Sequence, residues 1–281
     1  HYSCFFQITP FGPNGQDSLS YGFFEAAMTM TPKPKTVALV GANAQFAMSG
    51  LDGARANAKR VGLKIVYDRT YPPSTVDFAP VVRAIQATHP DVVFIASYPS
   101  DTIGMLHAIR EVGLAPKLLG GDMVGPQNGI VKEHLGEQLN GLVDFEFFVH
   151  EPTMKFPGID AFLKKYQARA RKEGIDPLGY YMPPFTYAAA SILGQAVTAT
   201  GSLDQAKLAQ YIHKTTFKTI VGNVKFGPDG EWAKPRILTI QYQNLKGHDL
   251  AQFTRPGTQV ILYPVEFRSG KLEYPYSAVK H

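Results

Sequence analysis

Four runs between residues 36 and 120 decide the fold: Thr36-Val37-Ala38-Leu39-Val40, Leu63-Lys64-Ile65-Val66-Tyr67, Val92-Val93-Phe94-Ile95-Ala96 and Lys117-Leu118-Leu119-Gly120. The first and third are continuously apolar, as strands buried on both faces are, and the second alternates. Helical spacing fills the gaps between them. Residues 48–61 read as a helix that Gly62 stops. Asp77 can cap a helix whose apolar face is Phe78, Val81, Val82 and Ile85. Ser100 opens another, carrying Ile103, Leu106, Ile109 and Val112 and closed by Gly113. Strands alternating with helices at this pitch predict βαβ units around a parallel sheet, with right-handed crossovers placing helices on both faces.

Beyond His150-Glu151-Pro152 the rhythm changes. Three helical segments follow, at about 158–173, 184–200 and 203–215; Gly174 and Gly201 stop the first two, and Ser202 with Gln205 has capping-box spacing for the third. Strands return at 220–226, Gly227-Pro228-Asp229-Gly230 reads as a tight turn, and 237–242 and 260–263 alternate like strands. A helical stretch between two sheet-forming stretches suggests a chain that leaves one lobe and later comes back.

Composition supports two domains. The 281 residues are 44% hydrophobic and 18% charged, enough for a buried core and unlike a disordered chain. Lys and Arg exceed Asp and Glu by five without forming a basic block, which argues against a nucleic-acid partner. The run Lys164-Lys165 with Arg169, Arg171 and Lys172 reads as the solvated face of a helix. No stretch approaches the roughly 18 apolar residues of a membrane span. A single cysteine, Cys4, excludes an internal disulfide framework or a cysteine metal cluster. It reads as a small buried hydrophobe, or as half of a pair whose partner lies upstream of His1. The chain opens on His, so a processed chain or fragment is expected, with a signal peptide already removed.

Catalytic and cofactor motifs are missing. Val40-Gly41-Ala42-Asn43-Ala44-Gln45 follows a strand as a dinucleotide loop would, yet lacks the glycines of G-x-G-x-x-G. There is no P-loop, nucleophile elbow or H-E-x-x-H, and the eight histidines form no metal pair with close acidic partners. The expectation is a binding protein without cofactor or metal, not an enzyme. In open α/β sheets ligands sit outside the carboxyl ends of the strands. That rule selects the loops 41–49, 97–101 and 120–125. Within them lie Gln45 and Phe46, Tyr98, and Asp122 with Met123. Asp122, beside Gly120 and Gly121, can receive a ligand ammonium or cap the following turn. Tyr98, between a buried strand and Pro99, offers an apolar ring with a polar tip.

Several segments carry a family resemblance. Val37–Val40 is followed by Asn43-Ala44-Gln45-Phe46-Ala47; Tyr71-Pro72 leads through Thr75-Val76-Asp77-Phe78 to His89-Pro90-Asp91-Val92-Val93-Phe94; Phe226-Gly227-Pro228-Asp229-Gly230 and Tyr263-Pro264 come late. In this order they resemble the periplasmic solute-binding proteins of branched-chain amino-acid ABC transporters, the type I Leu/Ile/Val-binding group. The resemblance implies a two-lobed α/β fold, each lobe a parallel sheet flanked by helices, with hinge crossovers between them. Residues 1–9, following an opening segment not in this sequence, and 150–225 would belong to lobe 1; 10–149 and 226–281 would belong to lobe 2. An acidic residue at position 122 would hold the ligand amino group, and Tyr98 would line the cleft. Tyr181, or its neighbour Tyr180, would supply an aromatic from lobe 1. Phe46 stands where many members have Tyr followed by Gly, here followed by Ala47, which leaves a more apolar wall. The residues that hold a ligand carboxylate would lie in the opening segment.

The implied function is the periplasmic component of an ABC importer, partnered by the permease membrane subunits. It would close around a small amino acid or related carboxylate or amide by hinge motion. Aromatic acids are an alternative ligand class. A ligand-sensing domain of the same fold and a nucleotide-dependent oxidoreductase are the competing functions.

Overall fold

The computed structural model describes residues 4–279. The expected lobe 1 segment 1–9 is therefore seen only from Cys4 on, and the closing Lys280-His281 lies outside the described residues. In chain order the elements are α1 (Gly15–Ala27), β1 (Thr36–Ala42), α2 (Gln45–Arg60), β2 (Lys64–Tyr71), α3 (Ala79–Gln86), β3 (Val92–Ser97), α4 (Pro99–Val112), β4 (Leu118–Met123), α5 (Gly129–Leu135) and β5 (Val143–Glu146). Then come α6 (Ile159–Glu173), α7 (Pro183–Thr200), α8 (Gln205–Lys214), β6 (Thr216–Thr219), β7 (Gly222–Lys225), β8 (Leu238–Tyr242) and β9 (Gln259–Tyr263).

Contacts divide the chain into two units. The first comprises His1–Gly15, Phe147–Val149 and Met154–Ile237; the second comprises Gln16–Glu146, His150–Thr153 and Leu238–His281. Residues 226–237 thus group with the helices before them, not with the last strands as the resemblance implied. Phe226 pairs with Trp232 across the Gly227–Gly230 turn, which ties this segment to the β6–β7 hairpin beside it.

The second unit holds a seven-stranded sheet ordered β2-β1-β3-β4-β5-β8-β9. Its first five strands run parallel, and β8 and β9 join antiparallel. β1, β3 and β4 bury nearly every residue, in keeping with helices on both faces. α1 packs Phe23 and Phe24 on Phe94 of β3, with centroids 5.3 and 5.9 Å apart. α2 covers the sheet with Leu51, Ala54 and Ala58, and α4 with Met105, Leu106 and Ile109. Gly62 and Gly113 end their helices in the left-handed conformation, as read from the sequence. β8 and β9 alternate in sequence but are buried along nearly their whole length.

The regular structure of the first unit is mostly helical. Among the described residues it contains α6, α7, α8 and one antiparallel hairpin, β6–β7. The single strand expected at 220–226 is instead the second arm of that hairpin, because Gly222 turns the chain with φ +88°. Asp204, not Ser202, caps α8: Asp204 Oδ1 accepts the Lys207 amide at 2.9 Å, while Ser202 Oγ takes the Asp204 amide at 3.0 Å. Phe147, Phe185, Phe11 and Trp232 form an aromatic core. Cys4, expected to be buried, is exposed, with its thiol 3.9 Å from the Gln205 carbonyl oxygen.

Candidate functional site

At the carboxyl edge of the sheet, β1 and β3 pass directly into α2 and α4. The turn after β1 is shorter than expected, because α2 already begins at Gln45. Its N-cap, Ala44, offers no side-chain acceptor for the first-turn amides. The Tyr98 hydroxyl supplies one from across the edge, accepting the Phe46 amide at 3.3 Å. The Tyr98 and Phe46 rings meet edge-on with centroids 6.1 Å apart, and Phe145 of β5 lies 6.4 Å from Phe46. Phe46 and Tyr98 are half-buried, and Gln45 is exposed beside them. Three of the expected residues therefore share one rim.

Asp122 is placed differently from the expectation. It lies inside β4, opposite Ala96 of β3, and is 0% exposed. A Cβ at Gly50 of α2 would stand 2.7 Å from Asp122 Oδ2, so the helix backbone roofs the carboxyl group. Gly50 is one turn beyond Phe46 on the same helix face. Neither carboxyl oxygen of Asp122 has a hydrogen-bond partner. The capping alternative is thereby excluded as well. Burial pushes the Asp122 pKa well above the ordinary carboxylate range.

Gly120 and Gly121 are what allow this. A Cβ at Gly120 would lie 1.7 Å from the Val143 carbonyl oxygen, and one at Gly121 would lie 2.2 Å from that of Ile95. The glycines read as a loop signal; here they let β4 pass between two strands, which draws Asp122 and Met123 into the sheet. Met123 is also fully buried and donates its amide to Asp144 Oδ1 at 3.0 Å, so it does not line an open rim. Tyr181 belongs to the other unit, half-buried and stacked on Phe147 at 5.1 Å. Tyr180 is 2% exposed against Phe148, so Tyr181 is the more accessible of the two.

Sequence reasoning missed the acids of β5. Asp144 and Glu146 are fully buried in Val143-Asp144-Phe145-Glu146, and two acids at i, i+2 in an apolar run were the available signal. Asp144 Oδ1 accepts the Met123 and Phe145 amides, yet burial outweighs these bonds and raises its pKa, with Glu146 and Asp122 adding to the rise. Glu146 pairs at 2.9 Å with Lys132, itself 1% exposed. Tyr71 and Asp101 were missed as well. The Tyr71 hydroxyl donates to Asp101 Oδ2 at 2.6 Å, and burial first, then this bond, raises the Tyr71 pKa. Among the described residues no group of three His, Cys, Asp or Glu could hold a metal ion, and no helix is long and apolar enough to cross a membrane.

Comparison with known proteins agrees with this architecture. The chain is 24% identical over 249 residues to "Leu/Ile/Val-binding protein homolog 8" of Brucella abortus (strain 2308), covering 86% of this chain and 58% of that protein. The chain therefore spans under three fifths of the curated relative. Among solved structures, the leucine-, isoleucine-, valine-, threonine- and alanine-binding protein of Brucella ovis, in a closed conformation, superposes with a TM-score of 0.67 at 19% identity, over 85% of this chain and 59% of that one. A periplasmic binding protein of Burkholderia mallei gives a TM-score of 0.69 at 18% identity, over 94% and 67%. A family model described as periplasmic binding protein matches residues 2–241. With that match spanning most of its length, and with a mainly parallel sheet flanked by helices, the chain belongs to the periplasmic binding protein family.

Proposed function

We propose that this chain is the periplasmic solute-binding component of an ABC importer and that it takes a small amino acid, or a related carboxylate or amide, at the carboxyl edge of the seven-stranded sheet. The observation that carries the reading is Asp122: a fully buried carboxyl group with two unpartnered oxygens, one helical turn below the Phe46–Tyr98 rim. Leaving such a group unsatisfied costs about 1–3 kcal/mol. Because α2 roofs the group at Gly50, a ligand ammonium would reach it only with a shift of that helix, and would then supply the missing partner in a site shielded from water, where a charge-assisted bond is strong. Without ligand, burial favours the protonated, uncharged group. The likeness to a Leu/Ile/Val-binding protein homologue favours the same ligand class. The permease subunits would be the membrane partner, and no bond-making step is assigned to the chain.

The mechanism has a pH signature. An ammonium needs the ionised carboxylate, while burial keeps Asp122 protonated above its ordinary range. Binding then releases a proton, and affinity rises with pH until the raised pKa is passed. Phe46 and Tyr98 favour a second reading, an aromatic acid stacked on the rim and independent of Asp122.

A thermal-shift screen separates the two. At a hundredfold excess over Kd, leucine, isoleucine or valine should raise the melting temperature by about 5 °C. Asp122→Ala should abolish that rise. Stabilisation by phenylacetate that survives Asp122→Ala would select the aromatic-acid reading. No shift with amino acids, amides or aromatic acids would refute both.

A further inference from the structure

Phe46 and Tyr98 stand on separate turns, and one residue fastens both. Tyr71 ends β2, the edge strand, with β1 lying between it and β3. Its carbonyl oxygen accepts the Asn43 amide at 2.7 Å, which fixes the turn between β1 and α2. Its phenol reaches past the end of β1 and donates to Asp101 Oδ2 at 2.6 Å. Asp101 Oδ1 in turn accepts the Tyr98 amide at 2.9 Å. The Tyr98 hydroxyl then returns to α2 and accepts the Phe46 amide at 3.3 Å. These bonds close a circuit around the tip of β1.

Packing holds the circuit in place. Tyr71 is 3% exposed and Asp101 7%. The Tyr71 ring meets Phe78 edge-on, with centroids 5.1 Å apart at 89°. Phe78 fills the space beside Gly104 of α4, where a Cβ would come within 2.7 Å of its ring. Tyr71 therefore cannot swing without moving Phe78 against α4.

We infer that Tyr71 is a positioning residue for the carboxyl-edge site: through Asp101 its phenol sets where Tyr98 stands relative to Phe46. It touches no ligand. By accepting the Phe46 amide, the Tyr98 hydroxyl becomes a better donor of its own hydrogen, and the circuit aims that hydrogen. The circuit is a property of the chain itself; only its consequence for binding rests on the proposed function.

Tyr71→Phe removes the arm to Asp101 and keeps the ring and the carbonyl bond to Asn43. In the ligand-free chain, amide hydrogen exchange should accelerate about tenfold at Tyr98 and Phe46 and stay unchanged at Asn43. Phe78→Leu loosens the same packing without touching a bond of the circuit, and should not single out those two amides. Equal acceleration across the sheet in Tyr71→Phe, or none at Tyr98 and Phe46, overturns the inference. Calorimetry with L-leucine and phenylacetate tests the consequence. For whichever probe the wild type binds, Tyr71→Phe should weaken affinity about tenfold, and adding it to Tyr98→Phe should cost nothing further. Additive losses would overturn the positioning role. A wild type that binds neither probe but shows the expected exchange pattern would defeat the ligand reading and leave the circuit standing.

Discussion

The two edges of the seven-stranded sheet each carry an aspartate, treated in opposite ways. At the amino edge, Asp91 precedes β3 and ties three strand starts together. Its Oδ2 accepts the Lys35 and Thr36 amides at 2.7 and 3.2 Å, and its Oδ1 meets Lys117 Nζ at 2.8 Å. Partial burial works against the charge, but the Lys117 bond and the Lys35 amide outweigh it and hold the Asp91 pKa below its ordinary value. At the carboxyl edge, Asp122 has no partner, and burial alone drives its pKa the other way. A carboxylate supplied with donors is part of the scaffold. One buried without them carries the full cost of its burial.

The largest test of this contrast concerns a second buried acid, one that does have a partner. Glu146→Leu leaves Lys132 buried without its carboxylate and should cost about 3–5 kcal/mol in denaturant unfolding. A cost near zero would mean that the sheet tolerates bare charge of either sign. Next in size is Asp91→Ala, which removes the knot at the amino edge and should cost about 2 kcal/mol near neutral pH. Because the folded pKa of Asp91 is depressed, its stabilisation is present above about pH 4 and is lost as pH falls through the folded value. The penalty of the variant should therefore fade in acid.

Asp122→Ala is the smallest and has the opposite sign. The folded pKa is raised, so what Asp122 contributes is greatest below about pH 4 and shrinks as pH rises through the folded value. The unliganded variant should match the wild type in acid and gain about 1 kcal/mol or more on it toward higher pH. Parallel pH slopes for the two variants would erase the distinction between the edges.

How much could be read beforehand follows from where the information lies. β1 and β3 announce themselves because a strand buried on both faces must be apolar throughout. The ends of α2 and α4 are marked by Gly62 and Gly113, a purely local requirement. Asp122 was assigned to a loop, since Gly120-Gly121 looks the same whether it turns the chain or admits a close neighbour. The circuit through Tyr71 was out of reach: its partner Asp101 is 30 residues away, and nothing in either neighbourhood records the pairing. The β6–β7 hairpin was read as a single strand for a related reason, because a short strand next to a turn glycine does not reveal whether it joins a sheet or folds back on its predecessor.

The path of the chain has a practical consequence. β5 ends at Glu146 and β8 begins at Leu238, and these two residues sit opposite each other on the same rung of the ladder. Residues 147–237 are thus, topologically, an insertion whose two ends meet. A short reverse turn joining Glu146 to Leu238 would make β5 and β8 consecutive and spare about 3 kcal/mol of loop closure. The shortened protein would forgo the tethers that His150, Glu151 and Thr153 make to Thr254, Gly257 and Phe267. It would keep Phe46, Tyr98, Asp122 and Tyr71 in a single miniaturised scaffold, small enough for residue-by-residue spectroscopy of the carboxyl edge.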